Sequence, residues 1–468
     1  MSLYQVLLLV LVALIAGFIH NIQLKKSFLI FMSVTFYYWL QPSSSIRNLD
    51  FWLPTFTLLI SFATYLGMII YSREKILLTF RDFGFVLVPT LLADLNRYVS
   101  LCCITPTLPP TIERVILGVI ITLAIFFLLY RVIPQHYDFS FSLFFLLILF
   151  LFLKIPSFTL ILSRAFHIIN HQPLQFSLAT DIQWLGISYI ILRMLHILID
   201  VHKKRQPIPG FQDYVFYLLF FPALIAGPID LFPHFVNEIS SPSPSNTLRQ
   251  EGFYRIIIGS FKKFVLADSL AILALSQQNA TQISSTLYMW LALIGYSLRI
   301  YFDFSGYTDI AIGSGLLIGV RLPENFSAPY RKTNLIQFWN SWHITLANWF
   351  RSYFFYPFTR KYQRTKKLPL WLLIFTGQVI TMLLIGFWHG ITLNFAVWGL
   401  WHGIGLFVNN RWADWKRNHP YLLKQNWFFT SLSWILTFSY VSLGWIWFGM
   451  SDLHSAMLVF QRLFGLAS

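Results

Sequence analysis

The stretch IGFWHGITLNFAVWGLWHGIGLFVNN, residues 385–410, ends a longer region, 368–410, that contains no Lys, Arg, Asp or Glu. Two histidines, His389 and His402, occur inside this apolar region, and each precedes a glycine. Because one membrane crossing takes about 20 apolar residues, the region predicts two helices joined by a short turn. The predicted helices are 368–387 and 391–409. The sequence therefore predicts a membrane hairpin with a titratable imidazole at its turn.

The composition of the whole chain predicts an integral membrane protein. Of its 468 residues, 56% are hydrophobic and 11% are charged, whereas charged residues make up about a quarter of a soluble domain. The net charge of +16 comes from Lys and Arg in small groups between apolar runs, which excludes a nucleic-acid-binding face and fits loops retained on the cytoplasmic side. Cys102 and Cys103 are adjacent, so neither a disulfide framework nor a CxxC metal site is expected.

We predict an all-α fold of about eleven to thirteen transmembrane or re-entrant helices, because the apolar runs are many and some are short. The first run lacks a basic start and a cleavage site, which predicts a retained helix and no signal peptide. The chain is expected to form one membrane domain, 1–468, with N-terminal helices (1–180), a core (181–410) and C-terminal helices (411–468). The predicted spans are 4–19, 28–40, 51–71, 83–96, 113–133, 139–162, 182–200, 214–233, 253–276, 285–302, 368–387, 391–409, 428–449 and 453–466.

Basic loops predict the orientation in the membrane. The densest clusters are 202–205, 360–367 and 411–417, and the positive-inside rule assigns them to the cytoplasm. The last two flank the hairpin, so its turn FWHGI is expected on the far side or deep in the bilayer. This pattern predicts a multi-pass protein of the plasma or inner membrane.

Polar islands in this apolar background carry the candidate chemistry. The island 324–358 predicts a helix that is interfacial or shallowly buried in the membrane, because its apolar residues follow a helical period. Those apolar residues are Trp339, Trp342, Leu346, Trp349, Phe350 and Tyr353. This helix would carry His343, while the island 301–313 carries Asp303 and Asp309, which either pair with Arg299 or bind helix N-termini.

Two buried histidines suit acyl transfer, because a neutral imidazole can take a proton from a hydroxyl. Zinc is disfavoured, since neither Cys partners nor an HExxH spacing occurs, and no GxSxG elbow supports a serine nucleophile. Two non-enzymatic alternatives stay open: a transporter, which usually shows two related halves, and a scaffold subunit. The polar islands all follow residue 200, so no such repeat is evident.

The motifs FWNSWHITLANWFRSYFFYPF and GFWHGITLNFAVWGLWHGIGL, with FFPALIAGPI and YFDFSGYTDIAIG, resemble the membrane-bound O-acyltransferases. The resemblance covers about 180–410 and implies a multi-helix bundle with a central funnel. It implies His389 as the catalytic base and His343 as a second catalytic residue that positions or polarises the donor. His402 is expected to be structural. The residues predicted to bind substrate are Asn340, Trp339, Trp388, Arg351 and Asp309.

Two bacterial branches of the family are similar to this chain. The DltB branch, which helps D-alanylate teichoic acids, typically reads GPID, WFRD, GFWHGIT and FHGIGL, and the segments AGPID, WFRS, GFWHGIT and WHGIGL of this chain are similar. The AlgI branch, which O-acetylates exopolysaccharides, usually has YIPLGG where this chain has FFYPFTRKY. The resemblance favours D-alanyl transfer to an extracytoplasmic polymer such as teichoic acid, with O-acetylation of an exopolysaccharide or peptidoglycan as the alternative. Ser352 stands where the family often has Asp.

The resemblance also predicts the acyl donor and the partner proteins. No bound cofactor is expected, and the donor would be a carrier-protein phosphopantetheine thioester or acyl-CoA. The expected partners are an acyl-carrier protein or another cytoplasmic donor, a downstream envelope acyltransferase or polymer-modifying protein, and membrane lipids.

Overall fold

The computed structural model of the chain consists of α-helices joined by short connections. In the described residues there is no β-strand, and the only β-type pairing is one isolated bridge between Phe326 and Trp342. The predicted all-α class is confirmed. The structure describes 1–72, 77–99, 105–132, 138–240, 244–365, 369–419 and 426–466. The predictions for Cys102, Cys103, Lys366 and Lys367 lie outside these residues.

The chain divides into two compact units. The first comprises Met1–Tyr254 and Ala311–Leu322, and the second comprises Arg255–Ile310 and Pro323–Ser468. The predicted single domain and its three segments stay a prediction. Helices that begin in the first unit are α1 (Leu3–Gly17), α2 (Ile22–Trp39), α3 (Leu49–Ser72), α4 (Leu77–Val99), α5 (Ile112–Val132), α6 (Asp138–Lys154), α7 (Pro156–Ile169), α8 (Ile187–His202), α9 (Phe211–Leu219), α10 (Phe232–Ile239) and α11 (Asn246–Ser260).

The second unit contains every residue of the predicted histidine hairpin. A π-helical segment, Phe261–Ala267, follows α11, and a second one, Arg351–Phe355, follows α15. Helices of this unit are α12 (Asp268–Ala271), α13 (Thr286–Ile318, whose last residues belong to the first unit), α14 (Leu335–Trp339), α15 (Ile344–Phe350), α16 (Tyr356–Thr365), α17 (Leu370–His389), α18 (Leu393–Asn418), α19 (Trp427–Gly449) and α20 (Leu453–Leu463).

Four described helices are long and apolar enough to cross a membrane, and a fifth span is possible if one bent pair counts as a single crossing. The four are Leu49–Ile69, Ile112–Leu129, Leu370–His389 and Trp427–Gly449. In the bent pair, α6 and α7 meet at 88°, at Pro156, which begins the second helix. The predicted number of eleven to thirteen membrane helices stays a prediction.

Three helix predictions were wrong in their bounds. The span predicted at 214–233 is interrupted, because α9 ends at Leu219 and α10 begins at Phe232. The span predicted at 285–302 continues through the polar island as the 33-residue helix α13, because Asp303 and Asp309 form ion pairs from within it. The helix predicted through 339–353 is broken, because Asn340–His343 leave the helix between α14 and α15. The stripe residues Trp339, Trp342, Leu346, Trp349 and Phe350 are buried by protein, and their interfacial or shallowly buried position in the membrane stays a prediction.

In the first unit, one buried arginine holds the segment 220–230, which contains the motif FFPALIAGPI. The Arg193 guanidinium donates hydrogen bonds to the carbonyl oxygens of Tyr217, Leu218 and Ala223 at 3.2, 2.9 and 3.0 Å. The Tyr217 hydroxyl donates to the Asp230 carbonyl at 2.6 Å. A Cβ at Gly227 would lie 2.2 Å from Ala223 Cα, so this glycine permits the close fold of the loop. Hydrogen bonds and close packing within the first unit therefore account for the polar residues and the glycine of this segment.

The histidine hairpin is confirmed as two antiparallel helices, α17 and α18, joined by Gly390–Thr392. Their close approach depends on glycines. A Cβ at Gly386 would lie 2.4 Å from the Phe395 carbonyl oxygen, and one at Gly399 would lie 2.8 Å from Leu383 Cα. Small residues let membrane helices pack at short distance, where van der Waals contact stabilises them. The two helices therefore hold His389 at one end of a tightly packed pair.

We expect Gly399→Ala to destabilise the protein by about 1–3 kcal/mol, because the added methyl group overpacks against the backbone of α17. Gly84→Ala is the matched control: it lies in α4, its added Cβ meets nothing within 4 Å, and alanine favours a helix by up to about 1 kcal/mol. Thermal unfolding in detergent measures both. Equal midpoints for the two variants would contradict the glycine-dependent packing of the hairpin.

Candidate functional site

His343 and His389, which are 46 positions apart in the sequence, line one small cavity in the second unit. Its volume is about 40 Å³, which is room for only a small group or a few water molecules. The structure therefore brings together the two histidines that the sequence predicted. The cavity is lined by Ile300, Phe304, Trp339, Trp342, His343, Leu346, Ala347, Ile385, His389, Trp398, Trp445 and Phe448.

His389 is the last residue of α17, and aromatic rings surround its imidazole. Its ring centroid lies 4.8 Å from those of Trp388 and Phe448 and 5.9 Å from that of Trp398. Trp388 also lies edge-on to His343, at 6.1 Å between centroids. Trp388, predicted to bind substrate, is thus the ring that contacts both histidines.

His343 occupies the break between α14 and α15, where it takes a left-handed backbone conformation with φ of 43°. The segment around Asn325 stabilises this break by pairing with it. Ile344 N–H donates to the Asn325 carbonyl at 3.0 Å, and Ser327 N–H donates to the Ser341 carbonyl at 3.0 Å. These bonds satisfy backbone groups that a continuous helix would have satisfied internally.

The side chain of Asn325 determines how the His343 ring is protonated. Its Oδ1 accepts hydrogen bonds from the Thr345 backbone N–H at 3.2 Å and from the Thr345 hydroxyl at 2.7 Å. The same oxygen lies 3.3 Å from His343 Nδ1. Because Oδ1 can only accept, Nδ1 carries the proton, and in the neutral ring Nε2 carries the lone pair.

The electrostatics of His343 follow from its burial. Its side chain is 3% exposed, and it lies outside the four candidate membrane spans. Burial disfavours the imidazolium and lowers the pKa of His343 to about 3. The ring is therefore neutral at physiological pH, as a proton acceptor requires.

A second, larger cavity of about 470 Å³ adjoins the histidine cavity. The two share Trp339, Ala347 and Ile385 in their walls. Asn340 and Arg351, both predicted to bind substrate, line the larger one, and the Arg351 guanidinium donates to Asn340 Oδ1 at 2.8 Å. The remaining lining residues are Ile336, Phe355, Tyr356, Thr359, Ile374, Gln378, Thr381, Met382, Leu406 and Asn410.

One face of α17 connects the two cavities. Ile374, Gln378, Met382 and Ile385 line the larger cavity, and Ile385 and His389 line the smaller. These residues recur every three or four positions, so they lie on the same side of the helix. The larger cavity therefore extends from the histidines toward the start of α17, which is the end that follows the basic cluster 360–367.

Asp309 does not line either cavity. Its carboxylate forms ion pairs with Arg255 at 3.0 Å and Lys262 at 2.6 Å. Asp303 pairs with Lys263, where the sequence suggested Arg299. These pairs favour the structural alternative for both carboxylates, and substrate binding by Asp309 stays a prediction. Among the described residues, no group of three or more His, Cys, Asp or Glu side chains is arranged to hold a metal ion.

His402 is fully buried and lies outside the lining of both cavities. Its ring packs against Trp398 at 5.0 Å and Trp339 at 5.1 Å between centroids. Both of these indoles line the histidine cavity. The position fits the structural role predicted for His402, since the ring supports two walls of the cavity from behind.

Sequence reasoning missed three residues of the site, namely Asn325, Gln378 and Trp398. Asn325 acts on His343 from 18 positions away, and no local pattern links them. Gln378 is the only amide or charged side chain within α17, and a polar residue inside a predicted span is the signal that could have identified it. Trp398 lies in the uncharged apolar region 368–410 and gave no such signal.

Comparison with known proteins gives a consistent result. The profile of MBOAT, the membrane-bound O-acyltransferase family, matches residues 27–451. The peptidoglycan O-acetyltransferase of Helicobacter pylori is 32% identical over 60% of this chain and 57% of that protein. A probable alginate O-acetylase, AlgI, of Pseudomonas syringae is 34% identical over 60% of this chain and 51% of that protein. The teichoic acid D-alanyltransferase of Bacillus subtilis is 27% identical over 63% of this chain and 76% of that protein. The alignment thus spans little more than half of the first two relatives.

We expect Asn325→Leu to lower the stability of the second unit by about 1–3 kcal/mol for each buried group that loses its acceptor. Asn325→Asp keeps an accepting oxygen and should be much closer to wild type. Asn348→Leu makes the same change on an exposed face of α15 and is the matched control. Thermal unfolding measures stability, and ¹⁵N shifts of labelled histidine report the ring tautomer. If Asn325→Leu leaves both unchanged, the amide does not hold His343.

Proposed function

The chain belongs to the membrane-bound O-acyltransferase family, and we propose that it transfers a short acyl group from an activated thioester to hydroxyl groups of a cell-envelope polymer. The observation that carries this proposal is the pair of histidines in one small, largely apolar cavity beside a larger one. Similarity to transferases that act on peptidoglycan, alginate and teichoic acid supports an envelope polymer as the acceptor.

In the proposed reaction His389 is the general base. Its imidazole takes the proton of the acceptor hydroxyl while the oxygen attacks the thioester carbonyl carbon. The tetrahedral intermediate then collapses with cleavage of the C–S bond, and the imidazolium returns the proton to the leaving thiolate. No other reactant is needed, and the ring ends in its starting protonation state.

We propose that His343 positions the acceptor molecule through Nε2, by accepting a hydrogen bond from a hydroxyl next to the reacting one, whose own proton goes to His389. Sequence analysis assigned this residue to the donor, as a group that positions or polarises it, and polarisation requires an N–H at the carbonyl. The hydrogen bond to Asn325 leaves the lone pair on Nε2, so this nitrogen accepts a hydrogen bond. The geometry therefore favours contact with a hydroxyl over polarisation of a carbonyl.

Two indoles are suited to stabilise the oxyanion of the intermediate. Trp339 and Trp398 line the histidine cavity, and their buried indole N–H groups have no acceptor within the described part of the chain. A donor in an apolar site stabilises a developing negative charge more strongly than water does. We assign this stabilising role to these two side chains.

The lining of the cavity favours acetyl as the acyl group. Among the described residues, no Asp or Glu lines the histidine cavity, and the ammonium of a D-alanyl group would need such a partner once desolvated. The O-acetyltransferases also share more identity with the chain, 32% and 34%, than the Bacillus subtilis D-alanyltransferase does, at 27%. D-Alanyl, which the sequence motifs favoured, remains the second candidate because four tryptophans line the cavity and can hold a cation on their faces.

A cytoplasmic donor fits the position of the larger cavity. Tyr356 and Thr359 of α16 line it, and the same helix exposes Arg360, Lys361 and Arg364. Acyl-carrier proteins are acidic, so we propose that this basic surface docks such a carrier, and that the protein works in the cell membrane with a downstream envelope acyltransferase. The positive-inside rule alone also accounts for these charges, which makes the docking a separate test.

We expect His389→Ala to abolish acyl transfer, since general-base catalysis contributes about 10²–10⁴-fold. His343→Ala should be severely impaired, and His402→Ala should keep substantial activity per folded molecule. Transfer of labelled acetyl and D-alanyl groups to the envelope polymer in cells, at matched membrane abundance, measures the order and identifies the acyl group.

The same assay separates the enzyme from its alternatives. Near-normal transfer by His389→Ala would remove the proposed mechanism and return the chain to a transporter or scaffold role. Exclusive labelling with D-alanine would replace acetyl by the second candidate.

We expect replacement of Arg360, Lys361 and Arg364 by Ser to weaken carrier binding, with the difference largest at low salt. The control replaces Lys203, Lys204 and Arg205, which form another predicted cytoplasmic cluster, with Ser. Carrier binding to the purified protein is measured at several salt concentrations. Unchanged affinity of the α16 variant at low salt would exclude docking there and leave the acyl transfer proposal intact.

A further inference from the structure

Helix α7 buries its polar side chains and exposes its apolar ones. The buried residues are Thr159, Ser163 and His167, which recur every four positions and so form one stripe along the helix. On the other side, Ile161 and Ile168 are 60% and 61% exposed. A helix on the surface of a soluble domain shows the reverse pattern, with its apolar stripe against the core. The exposed face of α7 therefore fits an apolar environment outside the protein.

Hydrogen bonds hold the polar stripe of α7 against the first unit. The Ser163 hydroxyl donates to the buried Asp181 carboxylate at 2.6 Å, and the Ser45 hydroxyl donates to the same carboxylate at 2.8 Å. The His167 ring donates to the Ser163 carbonyl oxygen at 2.9 Å through Nδ1, which carries the proton because a carbonyl can only accept. Rotation of α7 to bury its isoleucines would break these bonds. The apolar face is therefore fixed outward.

The angle between α6 and α7 indicates how this face is oriented. α6 has 17 residues, which is about 25 Å of helix and close to the ~30 Å thickness of a hydrocarbon core. α7 leaves it at 88°, and a helix at a right angle to a membrane-crossing helix lies near the membrane plane. Exposed apolar side chains extend along α6 up to the bend, namely Phe144, Leu147, Leu151 and Phe152. The apolar surface of α7 therefore begins where the lipid-facing surface of α6 ends.

The composition of the exposed face fits a phospholipid headgroup layer. Arg164 is exposed and lies three positions after Ile161 and four before Ile168, on the same face of the helix. Helices that lie in the membrane interface combine apolar side chains, which enter the acyl-chain boundary, with cations that reach the phosphates. The loop after α7 adds three exposed apolar side chains, those of Leu174, Phe176 and Leu178.

The position of α8 indicates the side of the membrane. Asp181, which accepts the hydrogen bond from α7, precedes α8 by a few residues. The opposite end of α8 carries the basic cluster 202–205, which the positive-inside rule assigns to the cytoplasm. The 16 residues of α8 span about 24 Å, so its start and the α7 segment belong to the outer side.

We propose that α7 lies in the outer headgroup layer of the membrane and binds anionic phospholipid. Ile161 and Ile168 insert at the boundary between headgroups and acyl chains, and the Arg164 guanidinium binds a lipid phosphate, for which its planar fork is suited. The partner of this surface is the lipid itself. The inference concerns the first unit alone and does not depend on acyl transfer.

A fluorophore on α7 measures its depth in the membrane. The full-length protein carrying Ile168→Cys, with Cys102 and Cys103 replaced by Ser, is labelled with bimane and placed in lipid nanodiscs. We expect strong quenching by lipids brominated near the glycerol end of the acyl chain and weaker quenching by lipids brominated near its methyl end. Iodide in the water should quench weakly.

Two labelled positions calibrate this measurement. Ile120→Cys is an equally exposed isoleucine, at 57%, in the middle of the membrane span Ile112–Leu129. Its label should be quenched most by the lipids brominated near the methyl end. Lys203→Cys lies in an exposed basic turn, and its label should be quenched most by iodide.

The same label tests the phosphate contact. At equal mole fractions, brominated phosphatidylglycerol should be enriched next to the Ile168→Cys label about fivefold over brominated phosphatidylcholine, as expected for one arginine near anionic lipid. Arg164→Gln should remove this preference and leave the depth unchanged, whereas Arg164→Lys should keep most of it. Arg417→Gln, which removes an exposed arginine of α18, is the matched control and should keep the preference.

Four results would overturn the inference. Iodide quenching of the Ile168→Cys label as strong as that of the Lys203→Cys label would place α7 in water. A depth equal to that of the Ile120→Cys label would make α6 and α7 a re-entrant pair. Protection from iodide and from both brominated lipids would show that protein, such as a second copy of this chain, covers the face. An unchanged lipid preference in Arg164→Gln would reject the phosphate contact.

Discussion

The hydrogen bonds of the buried Asn325 amide are the constraint on which the site depends. This side chain holds the His343 ring and the first turn of α15 with a single oxygen, while the backbone beside it pairs with the break between α14 and α15. Without these bonds the polar groups of the break would be buried and unsatisfied, which costs about 1–3 kcal/mol each. The amide therefore stabilises the non-helical backbone that places an imidazole in the cavity.

The sequence predicted the hairpin and its histidine well, because an uncharged apolar run of this length has few alternatives in a membrane. It also paired His343 with His389, through motif resemblance. The break at Asn340–His343 was not predictable from periodicity, since Trp339, Trp342 and Leu346 keep a helical spacing across it. Those rings are buried because segments distant in the sequence pack against them. The ring of Trp342, for example, lies 4.9 Å from that of Trp445, a residue more than one hundred positions away.

Contacts between distant segments explain the other differences. Asp303 and Asp309 were recognised as residues that need partners, but their lysines come from the π-helical segment after α11. Only the folded chain shows that α11 and α13 lie so close that a Cβ at Gly259 would be 2.6 Å from the Gly306 carbonyl oxygen. Ion-pair partners and the Asn325 contact share this origin, since side-chain pairing at long sequence separation leaves no local pattern.

The small size of the histidine cavity has a consequence for side reactions. An activated thioester is open to hydrolysis, and water at its bulk concentration competes with any hydroxyl acceptor. A space of about 40 Å³ holds only a few water molecules, and an acyl group with an acceptor hydroxyl would displace most of them. The walls of indole and aliphatic side chains give the remaining water little to bind. For the proposed reaction, the partition between productive transfer and wasteful loss of the acyl group is therefore set by the packing of these walls, independently of the basicity of the imidazoles.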